Sequence, residues 1–115
     1  MKPLRLGVLG SGKGSNFVAL AEAIRVGEVP AEIVLVASDL KDAAILDHAR
    51  KLNIPTHVCR RGAFRTKLEP EIERELAEAL DSAGVELVVL AGYMRVLKEP
   101  LLRKFPGRVL NIHPS

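Results

Sequence analysis

The chain has 115 residues, enough for one compact domain and too few for two. Apolar residues make up 48% of it and aromatic residues only 3%, so a sizeable core has to be built from Val, Leu, Ile and Ala. The net charge of +3 suits small anionic ligands, and it is too low and too scattered to indicate a nucleic-acid partner.

Cysteine usage and hydropathy bear on the cellular environment. The single cysteine, Cys59, excludes an internal disulfide and fits a reducing cytoplasm. Residues 1–5 precede no long apolar run, so we expect neither a signal peptide nor a membrane span. We therefore expect a soluble, cytoplasmic chain with no membrane partner.

The first half of the chain alternates apolar runs with helical periodicity. Residues 4–9 predict a strand, and a turn rich in Gly and Ser follows at residues 10–16, called the glycine turn below. A helix is predicted next, ended by Gly27 and Pro30, and residues 33–37 predict a strand covered on both faces. The apolar stripe of that helix consists of Phe17, Leu20, Ala21 and Ile24.

The middle of the chain predicts two more helices. The first has Asp42 as a candidate N-cap and ends before Asn53 and Pro55. Its apolar face is formed by Ile45, Leu46, Ala49 and Leu52. Residues 56–58 predict a brief strand, and residues 59–66 are irregular and basic. The second helix opens at Pro70 and ends at Gly84, with Ile72, Leu76, Ala79 and Leu80 on one face.

The last third of the chain completes the alternation. Residues 85–91 predict the most apolar strand, residues 99–104 a short helix, and residues 108–112 a final strand. Such alternation predicts an α/β fold: a doubly wound, mainly parallel sheet of Rossmann type with helices on both faces. Ligands bind outside the carboxyl ends of such strands, where the glycine turn, residues 92–97 and residues 111–115 are expected to meet.

The glycine turn is a candidate phosphate site. It joins a strand to a helix, and the free N–H groups and dipole of a helix start attract an anion. Its spacing is neither that of a Walker loop nor that of a dinucleotide fingerprint. The candidate phosphate ligands are Lys13, Gly14, Ser15 and Asn16. The alternative is a tight turn without a ligand, in which Ser15 or Asn16 caps the helix.

Asn111 and His113 form a candidate catalytic pair at the end of the last strand. Residues i and i+2 of a strand point to one side, so both side chains can converge on one reacting centre. An amide that steadies an oxyanion and an imidazole that moves a proton are what acyl transfer needs. Taken singly, each would more often be a structural or surface residue.

Other candidates carry weaker signals. Residues Met94, Arg95, Val96 and Leu97 form either an apolar slot with one cation or simple packing at a strand end. The basic residues Arg60, Arg61, Arg65 and Lys67 either meet an anionic tail or form a solvated surface. His48 is predicted on a helix surface and His57 in a structural position, Cys59 has no evident base beside it, and no residue spacing indicates a metal site.

Three motifs then occur in order: SGKGSN at residues 11–16, VVLAGYMRVL at residues 88–97 and LNIHPS at residues 110–115. In order and spacing they resemble the phosphoribosylglycinamide formyltransferases, the folate-dependent glycinamide ribonucleotide transformylases of purine synthesis. The NIHPS string is shared with methionyl-tRNA formyltransferase and formyltetrahydrofolate deformylase, which look different in the first loop.

The resemblance implies transfer of a formyl group from 10-formyltetrahydrofolate to the amine of glycinamide ribonucleotide, without a metal. It implies that Asn111 and His113 are catalytic. It also assigns the phosphate of the ribonucleotide to Lys13, Gly14, Ser15 and Asn16. The folate would be bordered by Met94, Arg95, Val96 and Leu97, with Lys67 or Arg65 near its glutamate tail.

Members of this family are nearly twice as long, and the resemblance implies that their second half supplies an aspartate that orients the histidine. We therefore expect residues 1–115 to be the N-terminal, ribonucleotide-binding part of a truncated formyltransferase domain, nearly inactive alone. The alternatives are a module that binds nucleotide phosphate without chemistry and half of a split enzyme. Apolar surface exposed by truncation also predicts self-association.

Overall fold

The computed structural model describes residues 2–59, 69–93 and 97–112. Strands and helices alternate throughout. Their bounds are β1 Leu4–Leu9, α1 Ser15–Arg25, β2 Ala31–Ser38, α2 Ala44–Lys51, β3 Thr56–Val58, α3 Pro70–Ser82, β4 Leu87–Ala91, α4 Glu99–Lys104 and β5 Val109–Ile112.

The five strands form one sheet in the order β3-β2-β1-β4-β5. All four pairings are parallel, which confirms the predicted α/β architecture. The register of β1 against β2 shifts between Leu6 and Gly7. Because β1 lies at the centre, the segment that follows it leaves the sheet between the ends of its neighbours β2 and β4.

Each face of the sheet carries its own apolar layer, as expected of strands covered on both sides. One layer packs α1 and α2 on the sheet, with Phe17, Ile45 and Leu46 fully buried against Val8 and Val36. The other packs α3 and α4, and its apolar members without any exposed surface are Leu9, Ala37, Leu76, Leu80, Val88 and Leu101. The helices therefore lie on both faces, as predicted.

Gly7 lets α3 approach the centre of the sheet. A Cβ at this position would lie 2.6 Å from Cδ2 of Leu80 and 2.9 Å from Cγ2 of Val85. Real Cβ atoms do not come this close to a neighbour, so any larger residue at Gly7 would displace these side chains. The missing side chain thus sets the spacing between β1 and the end of α3.

The ends of the elements confirm several predictions and correct others. Pro70 is the first residue of α3, and Gly84 follows its C-cap with φ +81°. β4 begins at Leu87, two residues later than predicted, because the Val85 N–H donates to the Leu80 carbonyl at 3.0 Å and so completes the end of α3. β2 begins at Ala31, two residues earlier than predicted.

The prediction that Asp42 caps α2 is wrong. The N-cap is Ala43, and within the described part of the chain no side chain makes a capping hydrogen bond to α2. A backbone group does this instead: the Ile45 N–H in the first turn donates to the Gly12 carbonyl at 3.2 Å. The start of α2 is therefore tied to the glycine turn.

Within residues 2–59, 69–93 and 97–112, the helices are all too short or too polar to serve as a membrane span.

His57 lies half-buried in the edge strand β3, within reach of the negative charge of Glu75 on α3. Burial lowers the pKa of His57 below its ordinary value of 6.5, and the charge of Glu75 offsets part of this effect. The folded chain therefore binds a proton at this site less readily than the unfolded chain does.

This difference predicts that the free energy of unfolding falls as the pH drops through the ordinary pKa of His57, 6.5, and below it. Above that pKa both states are neutral at His57, whereas below it the unfolded state gains a proton more readily. Urea unfolding across this range should show a smaller loss of stability for His57→Gln than for the wild type. Equal pH slopes for the two chains would contradict the prediction.

Candidate active site at the carboxyl edge of the sheet

The glycine turn is held between the two neighbours of β1. The Gly10 N–H donates to the carbonyl of Ala37, the second-last residue of β2, at 3.1 Å. The next amide, Ser11 N–H, donates to the Gly92 carbonyl just beyond β4 at 3.2 Å. Two successive amides therefore bind the turn to both sides of the crevice in which ligands of α/β sheets sit.

A side-chain contact adds to this attachment. The Ser11 hydroxyl, which is buried, donates to Oδ1 of Asp39 at 2.6 Å. Asp39 directly follows β2, so the turn after β1 is bonded to the loop after β2. Neither residue is predicted from the sequence as part of the site, although a Ser and an Asp within two residues of the ends of two apolar strands indicate polar contacts at that edge of the sheet.

Close packing requires glycine at two positions of the turn. A Cβ at Gly10 would lie 2.9 Å from the Ala91 carbonyl oxygen and 2.6 Å from Cδ1 of Ile45. Gly14 has φ +82°, and its Cβ would lie 2.9 Å from Cα of Ile45. The turn therefore lies against the backbone of both β4 and α2.

Gly14 is the N-cap of α1, which begins at Ser15. In the described chain no side chain caps this helix, which speaks against the alternative in which Ser15 or Asn16 does so. The first hydrogen bond within the helix runs from the Val18 N–H to the Gly14 carbonyl at 2.9 Å. The amides of the first turn stay outside the helical ladder and can donate to an anion.

The predicted phosphate ligands surround this helix start. Lys13 and Ser15 are exposed, and Gly14 and Asn16 are half-buried. The first turn of α1 contains no acidic residue, so no carboxylate there competes with a bound anion. All four predicted ligands are thus brought together at the open end of the crevice.

Residues 92–98 are called the β4–α4 segment below, and its first residue, Gly92, borders the turn on its other side. Tyr93 and Leu97 are half-buried against the apolar layer of α3 and α4. Beside both Gly92 and Gly12 the volume is open among the described residues, since a Cβ at either position would have no neighbouring atom within 4 Å. Open space therefore flanks the Ser11–Gly92 hydrogen bond. Met94, Arg95 and Val96 lie outside the described residues.

Asn111 lies in β5, beside β4. It pairs with Leu90 and is exposed, one residue before the end of the strand. Because β5 is two strands from β1, the amide is on the order of 10 Å from the end of β1. His113 lies outside the described residues, as do Lys67, Arg65, Arg60 and Arg61, so the predicted convergence of Asn111 with His113 stays a prediction.

Glu73 is a residue near the site that was not predicted from the sequence. It is fully buried on α3, and its carboxylate accepts hydrogen bonds from the backbone of Lys98 and Leu101. The sequence did contain a signal for the burial of this residue. Its position follows the i, i+3, i+4, i+7 pattern of a buried helix face, together with Leu76, Ala77 and Leu80. A carboxylate in such a stripe has to find partners in the core.

No group of three or more His, Cys, Asp or Glu side chains in the described part of the chain is arranged to hold a metal ion.

An all-parallel sheet whose central strand runs into a glycine-rich turn and a helix defines an α/β protein of Rossmann type. The sequence profile described as "Formyl transferase" matches residues 4–115. Because this match spans nearly the whole chain, the chain belongs to the formyl transferase family.

Individual relatives agree with this assignment. The phosphoribosylglycinamide formyltransferase of Haemophilus influenzae is 39% identical over 111 residues, which are 96% of this chain and 51% of that protein. The trifunctional purine biosynthetic protein adenosine-3 of Bos taurus is 40% identical over 114 residues, 99% of this chain and 11% of that protein.

Among solved structures, glycinamide ribonucleotide transformylase 1 from Symbiobacterium toebii superposes with a TM-score of 0.89 at 40% identity. The superposition covers 99% of this chain and 53% of that one. The chain therefore spans about half the length of the Haemophilus influenzae relative and of this structure.

The packing of the glycine turn predicts different effects for two neighbouring substitutions. Gly10→Ala should lower the free energy of unfolding by about 1–3 kcal/mol, because its methyl group meets the Ala91 carbonyl. Gly12→Ala is the matched control, since the described structure leaves open space there and its φ is not left-handed. Urea unfolding of both variants measures the difference, and equal losses would contradict the packing described.

Proposed function

We propose that this chain provides the ribonucleotide-binding side and the transfer residues of a phosphoribosylglycinamide formyltransferase. In this reaction the amine of glycinamide ribonucleotide attacks the formyl carbon of 10-formyltetrahydrofolate. A new C–N bond forms, the bond from the formyl carbon to N10 of the folate breaks, and a proton passes from the amine to N10. The relatives that carry this name support the proposal.

The glycine turn would bind the phosphate of the ribonucleotide. Amides at the start of α1 would donate to phosphate oxygens, Lys13 would supply a positive charge, and Ser15 and Asn16 would add side-chain donors. Gly14 has no side chain, because Ile45 leaves no space for a Cβ. Its backbone would therefore be able to approach the anion closely.

Asn111 and His113 would act on the reacting centre. The Asn111 amide would donate to the formyl oxygen as that oxygen gains negative charge, and the His113 imidazole would help to transfer the proton. The exposed position of Asn111 near the end of β5 supports this role, because its side chain is open to a ligand in the crevice.

The β4–α4 segment would border the folate, which supplies an activated formyl group. Open space beside Gly92 and the anchoring of Tyr93 and Leu97 on the core fit a bound planar ring. The proposed folate contacts are Met94, Arg95, Val96 and Leu97, with Lys67 or Arg65 near the glutamate tail.

One observation carries the proposal: the 3.2 Å hydrogen bond from the Ser11 N–H to the Gly92 carbonyl. It joins the proposed phosphate turn directly to the segment proposed to border the folate. Two substrates that exchange a formyl group have to bind side by side, and the two proposed subsites would share this contact.

Binding of glycinamide ribonucleotide to the chain should depend on Lys13 and Asn16. Calorimetry should show a loss of affinity of about tenfold or more for Lys13→Ala, because a hydrogen bond to a charged group is removed, and a loss in the same direction for Asn16→Ala. Lys51→Ala is the control, since this exposed lysine lies at the end of α2, away from the glycine turn. Equal affinities of the Lys13 and Lys51 variants would contradict the phosphate assignment.

Formyl transfer should depend on Asn111. Transfer is measured with the chain alone, and with the chain mixed with the part of the Haemophilus influenzae relative that it does not span. We expect little turnover from the chain alone and more from the mixture. In the more active preparation, Asn111→Ala should lower kcat by roughly 10²–10³-fold, the cost of losing one oxyanion donor.

The matched control for this experiment is Asn53→Gly, which removes another exposed amide at a position whose φ of +60° glycine adopts readily. A similar kcat for the Asn111 and Asn53 variants would contradict the catalytic assignment.

A module that binds nucleotide phosphate without catalysis is the second candidate. The glycine turn is held entirely by hydrogen bonds among residues of this chain, and this self-contained anion site favours the module. Calorimetry with each substrate separates the two functions. Binding of the ribonucleotide without binding of 10-formyltetrahydrofolate, and no transfer in either preparation, would favour the module.

A further inference from the structure

Four hydrogen bonds hold the start of the glycine turn, and one of them is made by side chains. The amides of Gly10 and Ser11 and the carbonyl of Gly12 bond to backbone groups of neighbouring elements. The fourth bond runs from the Ser11 hydroxyl to Oδ1 of Asp39 at 2.6 Å. Backbone groups are the same in almost every residue, whereas this fourth bond requires a donor side chain at position 11 and an acceptor side chain at position 39.

Asp39 extends from a backbone that is itself held in place. It is half-buried and directly follows Ser38, the fully buried last residue of β2. The Ser38 hydroxyl accepts a hydrogen bond from the Leu40 N–H at 3.1 Å, so a local turn closes around Asp39. The Ser38 carbonyl accepts another from the Cys59 N–H, just after β3, at 2.9 Å. The carboxylate is therefore a fixed acceptor for the glycine turn.

The contact holds a part of the turn that packing leaves loose. Gly10 and Gly14 lie in close contact with their neighbours, but a Cβ at Gly12 would have no neighbouring atom within 4 Å among the described residues. The path of the chain between the two packed glycines thus depends on hydrogen bonds, which are those of Ser11 and Gly12. Lys13, the first of the proposed phosphate ligands, directly follows this stretch.

A carboxylate is an unexpected neighbour for an anion site. Like charges repel, so the charge of Asp39 taken alone predicts weaker binding of a phosphate group. The contact with Ser11 predicts the opposite effect, because a hydroxyl bonded to a carboxylate is held strongly and in a defined direction. The two effects differ in sign, so an experiment can separate them.

We infer that Asp39 is a positioning residue, which holds the glycine turn through Ser11 in the conformation that binds a phosphate group. The inference rests on the proposed function for its ligand, the phosphate of glycinamide ribonucleotide. Asp39 is not itself a ligand, because a carboxylate and a phosphate both present acceptor oxygens. It acts through the Ser11 hydroxyl, and a small displacement of the turn is costly because its donors have to match the geometry of the anion.

The experiment compares two substitutions of Asp39. Asp39→Ala removes both the charge and the acceptor, whereas Asp39→Asn removes the charge but keeps an acceptor oxygen. Ser11→Ala removes the donor, and a double variant carries both alanine substitutions. The control is Asp81→Ala, which removes an exposed carboxylate at the end of α3 that leads into β4, at the opposite edge of the sheet from the glycine turn.

Calorimetry with glycinamide ribonucleotide, urea unfolding and amide hydrogen exchange followed by NMR are measured for each chain. For Asp39→Ala we expect the affinity to fall by about tenfold and the Ser11 amide to exchange faster. Ser11→Ala should lose the same affinity, and the double variant should lose no more than either single variant, since all three lack one shared contact. Asp39→Asn should bind within about threefold of the wild type or more tightly, and Asp81→Ala should match the wild type.

Several results would overturn the positioning role. An unchanged or higher affinity of Asp39→Ala would do so, because the carboxylate would then act only as a repelling charge or as a part of the fold. Lower stability in urea without a loss of affinity would show a purely structural contact. Equal losses of affinity for Asp39→Ala and Asp39→Asn, or additive losses for the two alanine variants, would show that the shared hydrogen bond is not the cause.

Failure of the proposed function gives a different result. A wild-type chain that does not bind glycinamide ribonucleotide would overturn the phosphate assignment and the positioning role together. A wild-type chain that binds it as tightly as Asp39→Ala does would overturn the positioning role alone. If Asp39→Ala does not fold, Ser11→Ala, which leaves the half-buried carboxylate in place, is judged by the same criteria.

Discussion

The architecture of the site depends on the close approach of two backbones at the carboxyl edge of the sheet. The glycine turn contacts the end of β4 so closely that a methyl group at Gly10 would meet the Ala91 carbonyl. That approach permits the Ser11–Gly92 hydrogen bond, and the Gly12 carbonyl further along the turn binds the start of α2. A helix start and a strand end are thereby held in fixed positions around one crevice, as the proposed site for two substrates would require.

The two faces of the sheet support different parts of this crevice. The layer of α1 and α2 supports the glycine turn, through Gly14 against Ile45 and through the Ile45 amide. The layer of α3 and α4 supports the two described ends of the β4–α4 segment, through Tyr93, Leu97 and the Glu73 carboxylate. In the proposed enzyme, the ribonucleotide and the folate would therefore depend on separate halves of the core. A substitution in one apolar layer would therefore not directly contact the residues of the other layer.

Most of the fold could be predicted because hydrophobic periodicity and the signals at helix ends depend only on residues that are close in the sequence. The apolar stripe of α3, its start at Pro70 and its end at Gly84 could be predicted from neighbouring residues alone.

The features that were not predicted correctly involve partners that are distant in the sequence. Asp42 has the right chemistry for an N-cap, but the Gly12 carbonyl already serves the first turn of α2. The hydrogen-bond partners of Glu73 could not be predicted, because they lie 25 and 28 residues away in the sequence. The turn between β1 and α1 could be predicted because its glycines and serines are consecutive in the sequence.

Gly7 has a consequence that reaches beyond the sheet. The α3 helix lies against β1 only because Gly7 has no side chain to separate Leu80 from the strand. The same helix carries Glu73 two turns earlier, and a helix moves largely as a rigid rod over so short a length. The depth at which α3 settles on the sheet therefore sets the reach of the Glu73 carboxylate towards Lys98. The absence of a side chain at Gly7 therefore sets the distance from the Glu73 carboxylate to the first backbone amides of α4, which lie at the edge of the sheet.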